Sequence, residues 1–198
     1  NTNENPYSPS PALQKAITDA VAKVAADLNR YPDRDATALR TKLATYINEL
    51  SGTKFSADNI WAANGSNEII QSIFLAFAQG PVLGFTPSYS MHPLIAKVTG
   101  AQWIDGKRNA DFSLNTTDAI AEIQKNKPTL TFITTPNNPT GGAVTIAEIQ
   151  KLADACKSVG GLLVVDEAYA EFSQEKSAVT LIANNPHVIV IRTMSKAF

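Results

Sequence analysis

The stretch Leu162-Leu163-Val164-Val165-Asp166-Glu167-Ala168-Tyr169 joins an uninterrupted aliphatic run to a pair of acids. Consecutive apolar residues predict a strand that is buried on both faces, which is typical of a parallel sheet covered by helices. The two acids then fall at the carboxyl end of that strand, where α/β proteins place their ligand contacts. This segment therefore predicts both the fold class and the edge of the sheet at which a site should lie.

Other short apolar runs predict further strands, at 82–85, 130–134 and 188–191. Between and before them, apolar residues recur at three- and four-residue steps, which predicts helices over 12–28, 36–50, 68–78, 117–125 and 146–159. Alternation of strands and helices predicts an α/β fold, a three-layer sandwich around a mostly parallel central sheet.

Composition limits the classes of partner. The 198 residues are 44% hydrophobic and 18% charged, as in ordinary globular proteins, and the net charge is -1. Such a balance provides no field to attract nucleic acid or an anionic membrane. The aliphatic runs are far shorter than the roughly 20 residues that span a bilayer. We therefore expect a soluble protein with a small-molecule partner, without nucleic-acid or membrane binding.

Cys156 is the only cysteine, so an intrachain disulfide and a cysteine-based metal site are both excluded. A reducing, cytoplasmic location fits this usage. Cys156 lies on the apolar stripe of its predicted helix, which favours a buried structural thiol over a nucleophile. We assign it no chemistry and expect no metal.

The first residues, 1–11, are rich in Pro, Ser and Asn and lack periodicity, which predicts an extended arm that can cross to a partner subunit. Pro32 disfavours helical geometry at Tyr31 and so presents that tyrosine on a loop. We predict two parts: an arm, helix and loop over 1–34, and a ligand-binding domain over 35–198.

The acidic pair at 166–167 also resembles the Walker B element of nucleotide hydrolases. That interpretation needs a phosphate loop of the form G-x-x-x-x-G-K-[ST]. The best candidate fails, because five residues separate Gly100 from Gly106 and Arg108 follows Lys107. A loop of the wrong length that lacks the hydroxyl cannot hold phosphate and metal together.

Three other segments follow strands or begin helices. The turn-rich segment 135–142 follows a strand and could be only a tight connection. Asn64-Gly65-Ser66-Asn67-Glu68 could be a helix cap or an anion site. Thr193-Met194-Ser195-Lys196 follows the last strand, where a lysine could be a solvated charge or a partly desolvated nucleophile for an aldehyde cofactor.

Together, Asn-Pro-Thr-Gly at 138–141, Asp166 with Tyr169, and Ser195-Lys196 resemble the signature of fold-type I pyridoxal-phosphate aminotransferases of class I/II. Within that superfamily the whole chain is similar to the histidinol-phosphate aminotransferases. The segments that carry this finer resemblance are Asn-Glu-Asn-Pro-Tyr at 3–7, Arg-Tyr-Pro-Asp at 30–33, Asn-Gly-Ser-Asn-Glu at 64–68 and Ser-Lys-Ala-Phe at 195–198.

The resemblance implies pyridoxal 5'-phosphate as cofactor and three residues with chemical roles. Lys196 would form the Schiff base and carry the proton of the substrate Cα. Asp166 would keep the pyridine nitrogen protonated. Tyr169, with Asn138, would hydrogen-bond the ring 3' oxygen.

The resemblance also implies residues that surround the cofactor and substrate. Tyr89 would stack on the ring, although a core aromatic residue is the simpler interpretation. Tyr31 would reach the phosphate of the neighbouring subunit in a homodimer. Tyr7 and Asn5 on the arm would line the substrate pocket. The 5'-phosphate would be held by Ser66, Asn67, Thr193 and Ser195.

The implied reaction is reversible amino transfer between histidinol phosphate and 2-oxoglutarate in histidine biosynthesis. Alternatives on the same fold are an aromatic amino acid aminotransferase and a phospho-amino-acid decarboxylase, and a more remote one is a non-catalytic regulator. The family's later arginines and its small C-terminal domain would lie beyond Phe198, so we expect this piece alone to be inactive.

Overall fold

The computed structural model describes residues 3–198, so Asn1 and Thr2 of the predicted arm lie outside the described residues. Its strands are β1 (Val82–Thr86), β2 (Trp103–Lys107), β3 (Leu130–Thr134), β4 (Leu162–Asp166) and β5 (Val188–Ile191). Its α-helices are α1 (Pro11–Val24), α2 (Thr37–Ser51), α3 (Ser66–Phe77), α4 (Met91–Thr99), α5 (Thr116–Asn126) and α6 (Ile146–Ser158). Short 3-10 helices lie at Ala25–Asp27, Ala57–Asn59, Ala170–Phe172 and Ala178–Asn184.

The five strands form one sheet in the order β2-β1-β3-β4-β5, and all neighbours are parallel. Alternate residues of β4 enter two separate apolar clusters. Leu163 and Val165 pack with α5 and α6 on one face, and Val164 packs with α3 and α4 on the other. The predicted three-layer α/β architecture is therefore confirmed.

Local sequence explains where the helices begin. Thr145 accepts a hydrogen bond from the Glu148 amide and the Glu148 carboxylate accepts one from the Thr145 amide, which forms a capping box at α6. The Asn115 side chain accepts from two amides at the start of α5. The connection into β4 needs Gly161, because a Cβ there would collide with the carbonyl oxygen of Pro128.

Two elements were absent from the sequence prediction, α4 and β2. β2 pairs only with β1 at the edge of the sheet, so its side chains are partly exposed and Asp105 and Lys107 interrupt its apolar pattern. Because Pro93 lies in the first turn of α4, where a missing amide costs nothing, it does not stop that helix. The first predicted helix is confirmed but ends as an α-helix at Val24, with a 3-10 turn beyond it.

Helix α1 contacts solvent along its whole length. Every residue from 3 to 35 is exposed. The apolar stripe of this segment, which should be its buried face, is 51–75% exposed at Leu13, Ile17, Val21, Val24 and Leu28. An apolar stripe of this width is ordinarily covered by another element. Within residues 3–198, no helix combines the length and apolarity needed to cross a membrane.

Candidate active site

The predicted site residues gather at the carboxyl edge of the sheet. Tyr89 follows β1, Asn138 follows β3, Asp166 is the last residue of β4 and Lys196 follows β5. Parallel strands bring these ends together, so the side chains that follow them face a common region.

Asp166 is 1% exposed and is held by two contacts. Its Oδ1 atom accepts a hydrogen bond from the Ala168 amide at 3.1 Å. Its Oδ2 atom lies 3.0 Å from Nε2 of His92, which is 2% exposed. His92 was not predicted from the sequence. The available signal was its position three residues after Tyr89, in the first turn of α4.

Lys196 and Tyr169 both contact Asn3. The Nζ atom of Lys196 donates to the Asn3 carbonyl oxygen at 3.0 Å. The Asn3 amide nitrogen Nδ2 donates to the Tyr169 hydroxyl at 2.8 Å. The predicted amine and phenol therefore lie on either side of one arm residue. Asn3 belongs to the segment that carries the family resemblance, but it was not among the predicted site residues.

Buried Asn137 shapes the loop that presents Asn138. Its Nδ2 atom donates to the Pro87 carbonyl oxygen at 3.0 Å and to the Thr140 hydroxyl at 2.8 Å, and its Oδ1 atom accepts from Ser88 at 2.8 Å. These bonds tie the loop after β3 to the loop after β1. Asn138 is thereby placed with Asn3 and Tyr169 on the wall of a cavity of about 470 Å³.

Tyr89 contacts both Asn67 at the start of α3 and His92, the residue that pairs with Asp166. Its hydroxyl donates to Oδ1 of Asn67 at 3.2 Å. Its ring meets His92 edge-on with 5.4 Å between ring centroids. Burial raises the pKa of the Tyr89 phenol above its ordinary value, so this hydroxyl stays protonated and can donate. Tyr89 is half-buried rather than a fully enclosed core residue.

The start of α3 differs from the starts of α5 and α6, because no side chain caps it. Gly65 at its N-cap has φ 82° and no side chain to accept from the first amides. Gly65 lines a cavity of about 320 Å³ together with Thr193 and Ser195. The Thr193 hydroxyl donates to the Ser195 hydroxyl at 2.9 Å. The rest of that lining is mostly apolar and includes Glu171, and it does not include the predicted phosphate ligands Ser66 and Asn67. The uncapped amides at the start of α3 are the feature that favours an anion there, and the phosphate contacts remain a prediction.

Three other predicted residues lie apart from this cluster. Tyr31 is fully exposed on the loop before α2, and Tyr7 is 82% exposed. The Asn5 side chain accepts a hydrogen bond from the Tyr7 amide at 3.0 Å. Their roles toward cofactor and substrate remain predictions. Among residues 3–198, no cluster of His, Cys, Asp or Glu could hold a metal ion.

A model of the family described as aminotransferase class I and II matches residues 1–198. The chain belongs to the class I and II aminotransferases. This assignment confirms the superfamily resemblance seen in the sequence.

Curated relatives of this aminotransferase chain include two named histidinol-phosphate aminotransferase. The protein from Thermobifida fusca is 53% identical over 203 residues, covering 100% of this chain and 53% of the relative. The protein from Nocardia farcinica is 50% identical over 202 residues, covering 100% of this chain and 51% of the relative. The chain thus spans about half the length of the curated relatives it matches.

Solved structures of aminotransferases share the fold. The histidinol-phosphate aminotransferase of Clostridium acetobutylicum has a TM-score of 0.79 at 25% identity, covering 98% of this chain and 55% of that one. The Sinorhizobium meliloti enzyme of the same name was solved in complex with pyridoxal-5'-phosphate. It has a TM-score of 0.81 at 24% identity, covering 99% of this chain and 51% of that one.

Proposed function

We propose that the protein containing this chain is a pyridoxal-phosphate-dependent aminotransferase that transfers the amino group of histidinol phosphate to 2-oxoglutarate. The observation that carries the proposal is the meeting of Lys196 and Tyr169 at Asn3, at the sheet edge where β4 ends in Asp166. An amine, a phenol and a buried carboxylate at one sheet edge are the groups that this chemistry requires.

The residues present fit the cofactor. A phosphate needs clustered donors, and the uncapped amides at the start of α3 and the Thr193 and Ser195 hydroxyls after β5 can supply them. A pyridine nitrogen needs a carboxylate, and Asp166 supplies one that His92 already orients. Ser66 and Asn67 at the start of α3 would complete the phosphate contacts, and Tyr89 would lie against the ring.

When bound, pyridoxal phosphate supplies an aldehyde that takes up an amino group and a ring that accepts electrons from the substrate Cα. Lys196 Nζ anchors the cofactor and afterwards serves as the base that removes and returns the Cα proton. Asp166 holds a proton on the ring nitrogen, which makes the ring a better electron acceptor. Asn138 and Tyr169 hold the ring oxygen by hydrogen bonds from their amide and hydroxyl.

The substrate assignment is drawn from the names of the relatives at 50–53% identity over the whole chain. At this site the amino donor would lie between Lys196 and the arm, where Tyr7 and Asn5 can line its pocket. We place this reaction in histidine biosynthesis and in the cytoplasm, which agrees with a single buried thiol.

We further propose that the protein is a homodimer in which residues 1–34 contribute to the dimer and to the active site and residues 35–198 hold the cofactor. The exposed apolar stripe of α1 would be covered by the second copy. Tyr31, fully exposed in one chain, would then donate to the phosphate at the other site.

The proposed function is tested with the intact protein by borohydride reduction after addition of pyridoxal phosphate, followed by peptide mapping. We expect the label on Lys196, and a Lys196→Ala variant should lose both the label and amino transfer. Lys176→Ala is the control, because Lys176 lies on an exposed loop. Labelling at another lysine would contradict the proposal.

The substrate is tested separately by comparing kcat/KM for histidinol phosphate and for aromatic amino acids. We expect histidinol phosphate to be preferred. A preference for the aromatic amino acids would overturn the substrate assignment and leave the cofactor chemistry intact.

A further inference from the structure

Lys196 lies on a segment that has just left the sheet. The ladder between β4 and β5 ends where the Glu167 amide donates to the Ile191 carbonyl oxygen at 2.8 Å. Residues 194–197 then form a turn. Because the β-ladder stops before Lys196, side chains must fix this segment if the amine is to hold one position.

Arg192 ties the beginning of that segment to the turn that carries Tyr169. Its Nη2 atom lies 2.6 Å from Oε1 of Glu171, and its Nη1 atom lies 3.9 Å from Oε2 of Glu167. The Arg192 side chain is 15% exposed and that of Glu171 is 16% exposed. A short, mostly buried bond between a planar guanidinium and a carboxylate is strongly directional.

The end of the same segment is tied to the same carboxylate through Tyr46 of α2. The Tyr46 hydroxyl donates to Oε1 of Glu171 at 3.3 Å. The Tyr46 ring meets Phe198 edge-on with 5.8 Å between ring centroids. Lys196 therefore sits between Arg192 and Phe198, and both of these residues connect to Glu171.

Glu171 stands two residues after Tyr169, in the 3-10 turn that follows β4. Glu167 is the other carboxylate near Arg192, and it accepts hydrogen bonds from the Ser177 hydroxyl and the Ala178 amide, each at 2.6 Å. The segment that carries Lys196 is thus held in place by side chains of the strand and turn that carry Asp166 and Tyr169, in addition to the hydrogen bonds of the sheet.

We propose that Glu171 is a positioning residue that, through Arg192 and Tyr46, sets the place of Lys196 Nζ relative to Asp166 and Tyr169. This inference rests on the proposed function, because the place of Nζ matters only if Lys196 captures the cofactor. Misplacing a reacting group by about 1 Å can cost as much as about a hundredfold in rate. Glu171 touches neither substrate nor cofactor in this scheme.

The test compares Glu171→Gln and Tyr46→Phe with the wild-type intact protein. Glu171→Gln removes the charge that holds Arg192, whereas Tyr46→Phe removes one hydrogen bond and keeps the ring against Phe198. We measure the rate at which Lys196 captures pyridoxal phosphate, trapped by borohydride and mapped by peptide, together with the visible circular dichroism of the bound cofactor.

We expect Glu171→Gln to slow capture about tenfold and to weaken the circular dichroism per bound cofactor, with Tyr46→Phe intermediate. In turnover, kcat should fall more than KM changes. Glu122→Gln is the control for loss of a carboxylate, because Glu122 is partly exposed and pairs with Lys125 of the same helix, α5. Asn115→Ala is the control for lost stability, because it removes the side chain that caps α5.

Three results separate the positioning role from the proposed function. If Glu171→Gln lowers only the unfolding transition, as Asn115→Ala should, and leaves capture and circular dichroism unchanged, the positioning role is wrong. If Glu171→Gln does not fold, the test falls to Tyr46→Phe. Capture and circular dichroism equal to wild type in that variant would then exclude the positioning role. If the wild-type protein captures no cofactor at Lys196, the proposed function itself is wrong.

Discussion

The Nε2 atom of His92 lies 3.0 Å from Oδ2 of Asp166, and each of the two side chains is 2% exposed. A carboxylate this deeply buried needs a fixed partner, because losing one leaves an unsatisfied acceptor in the interior. Since the Ala168 amide takes the other oxygen, His92 determines which way the Asp166 carboxylate faces.

Replacement of His92 with Phe should lower the free energy of unfolding by about 1–3 kcal/mol, because Oδ2 of Asp166 loses its partner. Urea denaturation measures this change. His187→Phe is the matched control, since His187 is half-buried and its ring hydrogen-bonds the backbone carbonyl of Ala153. Equal losses in the two variants would argue against a special role for the Asp166 contact.

Glu167 should make stability depend on pH. Burial raises the pKa of the Glu167 carboxyl above its ordinary value of 4.5, although the Ser177 hydroxyl opposes this rise. A group with a raised folded-state pKa stabilises the fold below 4.5 and loses that contribution as pH rises through the folded pKa. Glu167→Gln should therefore gain stability relative to wild type as pH rises above 4.5.

Glu148 supplies the control of opposite sign. Hydrogen bonds from Thr145 lower the pKa of the Glu148 carboxyl below its ordinary value of 4.5. Its contribution is therefore present above 4.5 and lost as pH falls through the folded pKa. Urea titrations between about pH 3 and pH 8 should give opposite slopes, for Glu148→Gln where pH falls below 4.5 and for Glu167→Gln where pH rises above 4.5. Parallel slopes would contradict the raised pKa of Glu167.

Ile17→Asp should weaken the proposed dimer about a hundredfold, because it places an unpaired charge in the apolar stripe of α1. Ile17 is 51% exposed in the single chain, so the fold of the subunit should be unaffected. Sedimentation over a range of concentrations measures the dissociation constant. Thr18→Asp adds the same charge outside the apolar stripe and should leave the dissociation constant nearly unchanged.

Tyr31→Phe should weaken retention of the cofactor during dialysis, while Tyr7→Phe should retain it like wild type. Mixing Tyr31→Ala with Lys196→Ala subunits provides a stronger test. If each site uses Tyr31 of one chain and Lys196 of the other, a mixed dimer contains one intact site and activity should reappear. Activity that stays absent in verified mixed dimers would exclude the shared site.

Cys156 should resist alkylation in the folded protein. Burial raises the pKa of its thiol to about 11, so little thiolate exists at neutral pH. Mass spectrometry after iodoacetamide treatment should find Cys156 unmodified until urea unfolds the chain. Rapid labelling of folded protein would show that the thiol is accessible.

The sequence predicted what depends on local pattern. The continuous apolar run 162–165 and the mainly apolar segment 130–134 indicated buried parallel strands, and the ends of those strands indicated the site. Edge strand β2 was missed because Asp105 and Lys107 give it no apolar run, and only pairing with β1 makes it a strand.

Contacts between distant residues could not be predicted in the same way. His92 and Asp166 are 74 positions apart, and Asn3 and Lys196 are 193 positions apart. No periodicity links such pairs, since the fold alone brings them together. For the same reason, the Glu171 contacts with Arg192 and Tyr46 became visible only once strands β4 and β5 and helix α2 were in place.

Asp166 and Glu167 are adjacent in sequence but serve opposite faces of the sheet, one meeting His92 and the other Ser177. Side chains along a strand alternate, so deleting one residue in β4 would bring the glutamate to the place opposite His92 and move the aspartate to the apolar place of Val165. Inserting one residue would bring the aspartate to the place beside Ser177 and leave no acid opposite His92. Spacing within 162–169 is thus as much a part of the site as the identity of its residues, and chimaeras built with relatives should tolerate junctions only where that spacing is kept.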